Sequence, residues 1–210
     1  MKLDPEGKKY IYVFLVIAVF CAMTQSIVGY VFCGVSVFLS IFSIYFFRDP
    51  DRKPPDDINA ILSPADGLVA TASEYQHPTL GKCNRIGIFM NIFDVHVNRS
   101  PIDAKVTGLE YKEGTFKHAG TEGAFENNEQ MIIDLEGDGI NIQVIQIAGM
   151  VARRVICRLE KGQGVKRAER IGLIRFGSRL EVFLPFDKTI ISVKKGDRVV
   201  CGESSIARKI

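Results

Sequence analysis

The sequence predicts a mostly β protein: a compact antiparallel sandwich or barrel, behind an N-terminal hydrophobic helical hairpin. Three observations predict it. Tyr10 to Phe47 is a run of 38 residues without Lys, Arg, His, Asp or Glu. Beyond Asn59, short runs of β-branched and apolar residues recur, parted by Gly, Asp and Asn turns. No stretch of that region carries the 3.6-residue apolar period of a long amphipathic helix.

The apolar run comes first. A helix crosses a bilayer core in about 20 apolar residues. One straight helix over the whole run would reach roughly 57 Å at 1.5 Å per residue, too long for one span. Thr24-Gln25-Ser26 and Gly29 supply a polar, flexible break, which predicts two helices, the first short and the second nearer full length. Lys8 and Lys9 precede the run, and Arg48, Arg52 and Lys53 follow it. Positive charge on both flanks predicts a cell-membrane protein with both ends, and the β domain, on the cytoplasmic face. One tilted span with the domain across the membrane is the alternative. The run is too long for a signal-peptide core, and no small-residue cleavage site follows it. Asp49 to Asp57, with Pro50, Pro54 and Pro55, ends the helix and forms a linker. Residues 1–58 are thus the anchoring segment and 59–210 the β domain.

Strands are expected at Gly67 to Ala70, Arg85 to Val97, Met131 to Leu135, Ile140 to Ala148, Val151 to Cys157, Ile171 to Leu184 and Val199-Val200. Turns fall at Glu136 to Gly139, Glu160 to Gly164 and Lys195 to Arg198. A short helix is expected over Thr121 to Asn128. Ser63 to Gly67 and Lys195 to Gly202 are similar to turns of lipoyl- and biotinyl-type sandwiches.

Charge adds little in total and more in distribution. The net charge is +3, but nine Lys or Arg lie between Arg153 and Arg179 against Glu160 and Glu169. Such a stretch suits an anionic surface, or is a solvated face of strands and turns. The five cysteines show no C-x-x-C pairing or ligand spacing, which points to free thiols in a reducing compartment and to no metal site.

Three constellations bear chemistry. Ser63-Pro64-Ala65-Asp66-Gly67 is turn chemistry, with Asp66 a turn former or a functional carboxylate. Strand parity puts Asp94, His96 and Asn98 on one face, which makes His96 a candidate acid or base or else a half-buried structural histidine. His77 and His118 have no comparable setting. In Arg175 to Pro185, Ser178 shares a face with Leu180, Val182 and Leu184. Gly177 before it removes the side chain that would block attack on the preceding carbonyl, or marks a bulge. Asp66, His96 and Ser178 supply the residue types of an activated serine, without a G-x-S-x-G elbow.

Together these segments resemble phosphatidylserine decarboxylase proenzymes of the short prokaryotic class. The resemblance is carried by Phe46-Phe47-Arg48-Asp49-Pro50, Ser63 to Gly67, Asp94-Val95-His96-Val97-Asn98-Arg99-Ser100-Pro101, Val151 to Val155, and Phe176-Gly177-Ser178-Arg179 with Leu184-Pro185, in the family's order. It implies self-cleavage between Gly177 and Ser178 into a β chain of residues 1–177 and an α chain of residues 178–210. It implies conversion of Ser178 into a covalent pyruvoyl group, the electron sink for loss of carbon dioxide from phosphatidylserine. Longer members carry Leu-Gly-Ser-Thr at the cut and a second histidine, usually given the base role, where Arg99 stands here. We expect His96 to serve as the base and as the acid that reprotonates the substrate, with Asp66 in support. Arg99, Arg153 and Arg154 are the expected contacts to the headgroup phosphate or carboxylate. The expected partners are membrane lipids and the two chains of the proenzyme; oligomeric state is open. The competing reading is a membrane-tethered lipoyl- or phosphocarrier-like sandwich without decarboxylase activity, although it lacks the centred lysine of such carriers. A nucleic-acid partner is not expected, because residues 153–179 lack an aromatic stacking set.

Overall fold

Two polar caps and a tight break build the N-terminal unit. The computed structural model describes residues 2–114, 127–149, 154–175 and 178–210. Its chain divides into two units, Met1–Asp51 and Arg52–Ile210. The first holds β1 (Lys2–Leu3), α1 (Pro5–Met23), α2 (Ile27–Phe46) and β2 (Arg48–Asp49). Asp4 caps α1 by accepting from Glu6 N at 3.0 Å, and Pro5 fills the first turn, where its missing N–H is not needed. The helix stops at Thr24, Gln25 turns the chain at φ 49°, and Ser26 caps α2 by accepting from Gly29 N at 3.0 Å. The break therefore lies where the sequence predicts it.

The two helices pack against each other through small residues. Gly29, Ser36, Ser40 and Ser43 are buried on α2, and they let backbones approach closely. Phe47 stacks on Tyr10 with ring centroids 5.4 Å apart. A Cβ at Gly7 would lie 2.5 Å from Phe47 Cβ, so only glycine fits there. β1 pairs antiparallel with β2 and closes the open end of the hairpin. α2 is long and apolar enough to cross a membrane, whereas the first turns of α1 carry Glu6, Lys8 and Lys9.

The second unit is almost all strand. In order come β3 (Ala60–Leu62), β4 (Gly67–His77), β5 (Gly81–Met90), β6 (Val97–Arg99), β7 (Ala104–Lys112), β8 (Gln130–Gly137) and β9 (Ile140–Ile147). Then come β10 (Val155–Cys157), β11 (Gly164–Val165), β12 (Arg170–Ile174), β13 (Ser178–Pro185), β14 (Thr189–Ile191), β15 (Arg198–Val199) and β16 (Ser205–Lys209), with a 3-10 turn at Phe186–Lys188. A curled antiparallel sheet of eight strands runs β11-β7-β8-β9-β13-β5-β4-β15. Two small sheets, β10-β12-β6 and β14-β16-β3, complete the unit. The mostly β, antiparallel architecture with an N-terminal helical pair matches the expectation.

The core lies on one face of the large sheet. Val69, Ile86, Ile88, Ile133, Ile142, Val144, Leu180, Val182 and Leu184 meet Ile61, Ile171 and Ile206 from the small sheets. Cys83, Ile132, Ile145, Ile147 and Phe183 form a second cluster on the opposite face. β13 is thus buried on both faces and paired on both edges, with β9 and β5. Gly67 enters β4 at φ 152°, where a Cβ would lie 2.2 Å from the Phe89 carbonyl oxygen.

Two expected strands are each divided. Arg85 to Val97 is β5 and β6 separated by a turn at residues 91–96, because Asn91 and Asp94 side chains accept backbone N–H groups that a ladder would use. Ile171 to Leu184 is β12 in one sheet and β13 in another. Most of the helix expected over Thr121 to Asn128 lies outside the described residues.

Candidate active site

Alternation along β13 turns Ser178, Leu180, Val182 and Leu184 to the main core and Arg179, Glu181 and Phe183 to the other face. Ser178 begins the strand and is fully buried. It stands opposite Met90, the last residue of β5, and its Oγ donates to Met90 Sδ at 3.9 Å. Asn98 of β6 reaches the same sulfur, with Nδ2 at 3.7 Å. Asn98 Oδ1 in turn accepts from Gln146 Nε2 of β9 at 2.8 Å. Four strands from two sheets thus place a serine, a thioether and two amides in one dry cluster.

His96 belongs to the turn between β5 and β6. Asp94 shapes that turn, since its Oδ2 accepts from Asn91 N at 2.9 Å and its Oδ1 pairs with Arg198 at 2.5 Å. His96 is buried, and its Nδ1 meets the Asp94 carbonyl oxygen at 3.0 Å. A carbonyl only accepts, so Nδ1 carries a proton, and in the neutral form of the ring Nε2 carries the lone pair. The His96 carbonyl accepts from Ile174 N at 3.3 Å, which ties the turn to the strand leading towards Ser178. The expected strand face of Asp94, His96 and Asn98 does not exist as such: Asp94 orients His96 through its main chain, and only Asn98 lies in a strand.

Asp66 anchors a second polar cluster. Arg52 Nη2 donates to both carboxylate oxygens, at 2.9 and 2.7 Å, and Cys201 N donates to Oδ1 at 2.7 Å. Burial first, and the Asp66 charge second, push the Cys201 thiol well up, against the opposing pull of Arg99 and Arg52. Cys201 Sγ approaches the Val97 carbonyl at 3.6 Å, between His96 and Asn98. Asp66 therefore meets the β6 chain by way of Cys201. Arg99 is buried, with Nη1 donating to the Ala168 carbonyl at 3.0 Å and its main-chain N donating to Pro64 O at 3.0 Å. Arg154 is exposed. Gly177 and Arg153 lie outside the described residues, as does His118. His77 accepts from Thr79 N and Leu80 N, both at 3.2 Å, in the turn after β4. It lines a cavity of about 340 Å³ with Tyr75, Gln143 and Ile145, on the opposite face of the sheet from Ser178.

The face away from the core holds a buried ion cluster. Glu181 accepts from Arg85 Nε at 3.0 Å and Nη2 at 3.1 Å, and also from Arg179 Nε. Arg179 Nη2 donates to Thr71 Oγ1 at 2.9 Å. Gly87 makes room, since a Cβ there would lie 2.6 Å from Arg179 Nη2. The start of β13 is therefore gripped from the β5–β4 side of the sheet. Sequence reasoning missed Gln146, Met90, Arg52 and this cluster. The signal for Gln146 was present: it follows Ile140, Ile142 and Val144 on the core face, where a polar residue is out of pattern.

Comparison with known proteins agrees across nearly the whole chain. The family model described as phosphatidylserine decarboxylase matches residues 39–207. A phosphatidylserine decarboxylase proenzyme of Chlorobium limicola is 44% identical over 174 residues, 82% of each chain. That of Pelagibacter ubique is 39% identical over 214 residues, covering 99% of this chain and 97% of the relative. That of Syntrophus aciditrophicus is 46% identical over 170 residues, covering 80% and 79%.

Proposed function

The chain belongs to the phosphatidylserine decarboxylase family, and from that premise we propose that it converts phosphatidylserine to phosphatidylethanolamine after cutting itself between Gly177 and Ser178. The observation that carries this reading is the setting of Ser178: a fully buried hydroxyl at the first residue of a central strand, in a cluster of polar side chains. Among the described residues the hydroxyl meets only a weak acceptor, the Met90 thioether.

In this reading His96 Nε2 takes the proton from Ser178 Oγ, because the Asp94 carbonyl holds the opposite nitrogen protonated. Oγ then attacks the Gly177 carbonyl and the acyl group moves from nitrogen to oxygen. Asp66 supports the base indirectly: its hold on Cys201 fixes the chain on which Val97 follows His96. The site fits a pyruvoyl group at position 178, because that group only accepts, and Asn98 Nδ2, which meets the weak acceptor Met90 Sδ at 3.7 Å, is a donor in the same buried cluster. That group supplies the electron sink for decarboxylation. The chain's own part is to exclude water, fix the strand through Glu181, and return a proton to substrate from His96.

Arg153 and Arg154 are the proposed contacts for the anionic headgroup. The buried Arg99 side chain we assign to holding the turn at Ala168, whose carbonyl it meets. The helical hairpin anchors the enzyme where its lipid substrate resides, with α2 spanning the membrane and the flanking Lys and Arg on the cytoplasmic side. Intact mass of the purified protein tests the proposal. Two chains of residues 1–177 and 178–210 are expected, the smaller without an N-terminal amine. A single full-length chain, or a small chain that begins with serine, overturns it.

A further inference from the structure

One position of β9 breaks the strand's pattern in a way that asks for a ligand. Gln146 is fully buried on the core face. A buried primary amide needs both a donor and an acceptor side satisfied. Its Nε2 is met by Asn98 Oδ1 at 2.8 Å. Its Oε1 has no hydrogen-bond partner among the described residues.

Chemistry fixes that orientation. Met90 Sδ only accepts, so the Asn98 amino group faces it, at 3.7 Å. Asn98 Oδ1, which only accepts, then faces Gln146. Gln146 must turn its Nε2 to Asn98 and its oxygen elsewhere. A flip of either amide would set like atoms against each other. Leu180 stands opposite Gln146 across the β13–β9 ladder, and Ser178 lies two residues along on the same face. Diagonal neighbours on one face of such a ladder are within reach of a long side chain.

We propose that Gln146 Oε1 receives the amine nitrogen that is freed at residue 178 when the acyl group moves to Oγ. The inference rests on the self-cleavage read above. In that step the bond from Oγ to the Gly177 carbonyl carbon forms and the carbon–nitrogen bond breaks. The hydroxyl proton, carried by His96, ends on nitrogen. An amide with one N–H becomes an amine with an additional donor, inside a cluster from which water is excluded. Gln146 Oε1 is the acceptor waiting for it. Held there, the nitrogen is kept from returning to the ester carbonyl, and the chain stays in the ester form from which the cut completes. Gln146 touches the reacting nitrogen and is catalytic; Asn98 acts through it and is a positioning residue.

The test uses the full-length chain as wild type, Gln146→Leu and Gln146→Glu. Hydroxylamine cleaves an ester but spares the amide, so mass spectrometry after a brief hydroxylamine pulse reads the ester fraction. In wild type and in Gln146→Glu, whose carboxyl is held protonated by burial so that it donates to Asn98 Oδ1 and keeps a carbonyl acceptor, the ester fraction and the rate of chain splitting should agree within about threefold. In Gln146→Leu both should fall by roughly tenfold or more, the usual effect of one lost buried hydrogen bond. Should Gln146→Leu fail to fold by circular dichroism, Gln146→Met is judged by the same two outcomes. Wild-type ester levels and splitting in a folded variant without the acceptor overturn the inference. A wild-type chain that never splits and yields no hydroxylamine product overturns the cleavage reading instead.

Discussion

Ser178 and Met90 face each other across β13 and β5, and among the described residues the serine hydroxyl's acceptor is the methionine sulfur, 3.9 Å away. A thioether accepts weakly and cannot take the proton. It parks the hydroxyl without activating it. Met90→Leu is accordingly expected to leave chain splitting intact while lowering stability by about 1 kcal/mol, as volume-conserving core changes do. Urea denaturation and a denaturing gel read the two effects separately. Abolished splitting in a folded Met90→Leu chain would contradict the parking role.

His96→Gln keeps a polar side chain in the turn but has no base. Splitting at Gly177-Ser178 should slow by about 10²–10⁴, the range for a lost general base. A time course by intact mass decides it; splitting at the wild-type rate would remove His96 from the reaction.

Glu181→Gln should be among the most damaging single changes outside the Ser178 cluster. It leaves Arg179 and Arg85 without their shared carboxylate in a buried setting. Breaking a buried pair costs about 3–5 kcal/mol. The measurement is denaturant unfolding on a Ser178→Ala background, which should itself give one uncut chain.

Cys201 makes stability depend on alkaline pH. Burial, then the Asp66 charge, raise its thiol above the ordinary 9.0. The native state therefore keeps a proton that the unfolded state loses once pH passes about 9. The thiol's contribution is complete below that pH and declines as pH rises through the window above it. Wild type should lose stability relative to Cys201→Ala by about 1 kcal/mol per pH unit between pH 9 and 10. Parallel stability curves for the two would show that the thiol ionises as freely in the fold as outside it.

Some of this was legible in the residues. The helix break at Thr24-Gln25-Ser26 and the inward face of Ser178 both follow from local pattern, and both stand in the structure. The turn at residues 91–96 was not legible, because Asn91 and Asp94 redirect the backbone in a run whose composition otherwise reads as strand. Asp94 acts on His96 through a carbonyl, and a main-chain atom leaves no mark in sequence. Gln146 was visible as an anomaly, but its meeting with Asn98 depends on which strands pair across two sheets. The same holds for Arg85 and Glu181, which are 96 positions apart and meet only because β5 and β13 are neighbours.

β13 is bonded along both edges, to β9 on one side and β5 on the other, and closed over on both faces. A chain broken just ahead of it would keep its final 33 residues as a peptide inlaid in its parent. What had been continuity of one polypeptide would become an association of two. Dilution, which cannot separate the parts of a single chain, would then bear on whether the sheet stays whole.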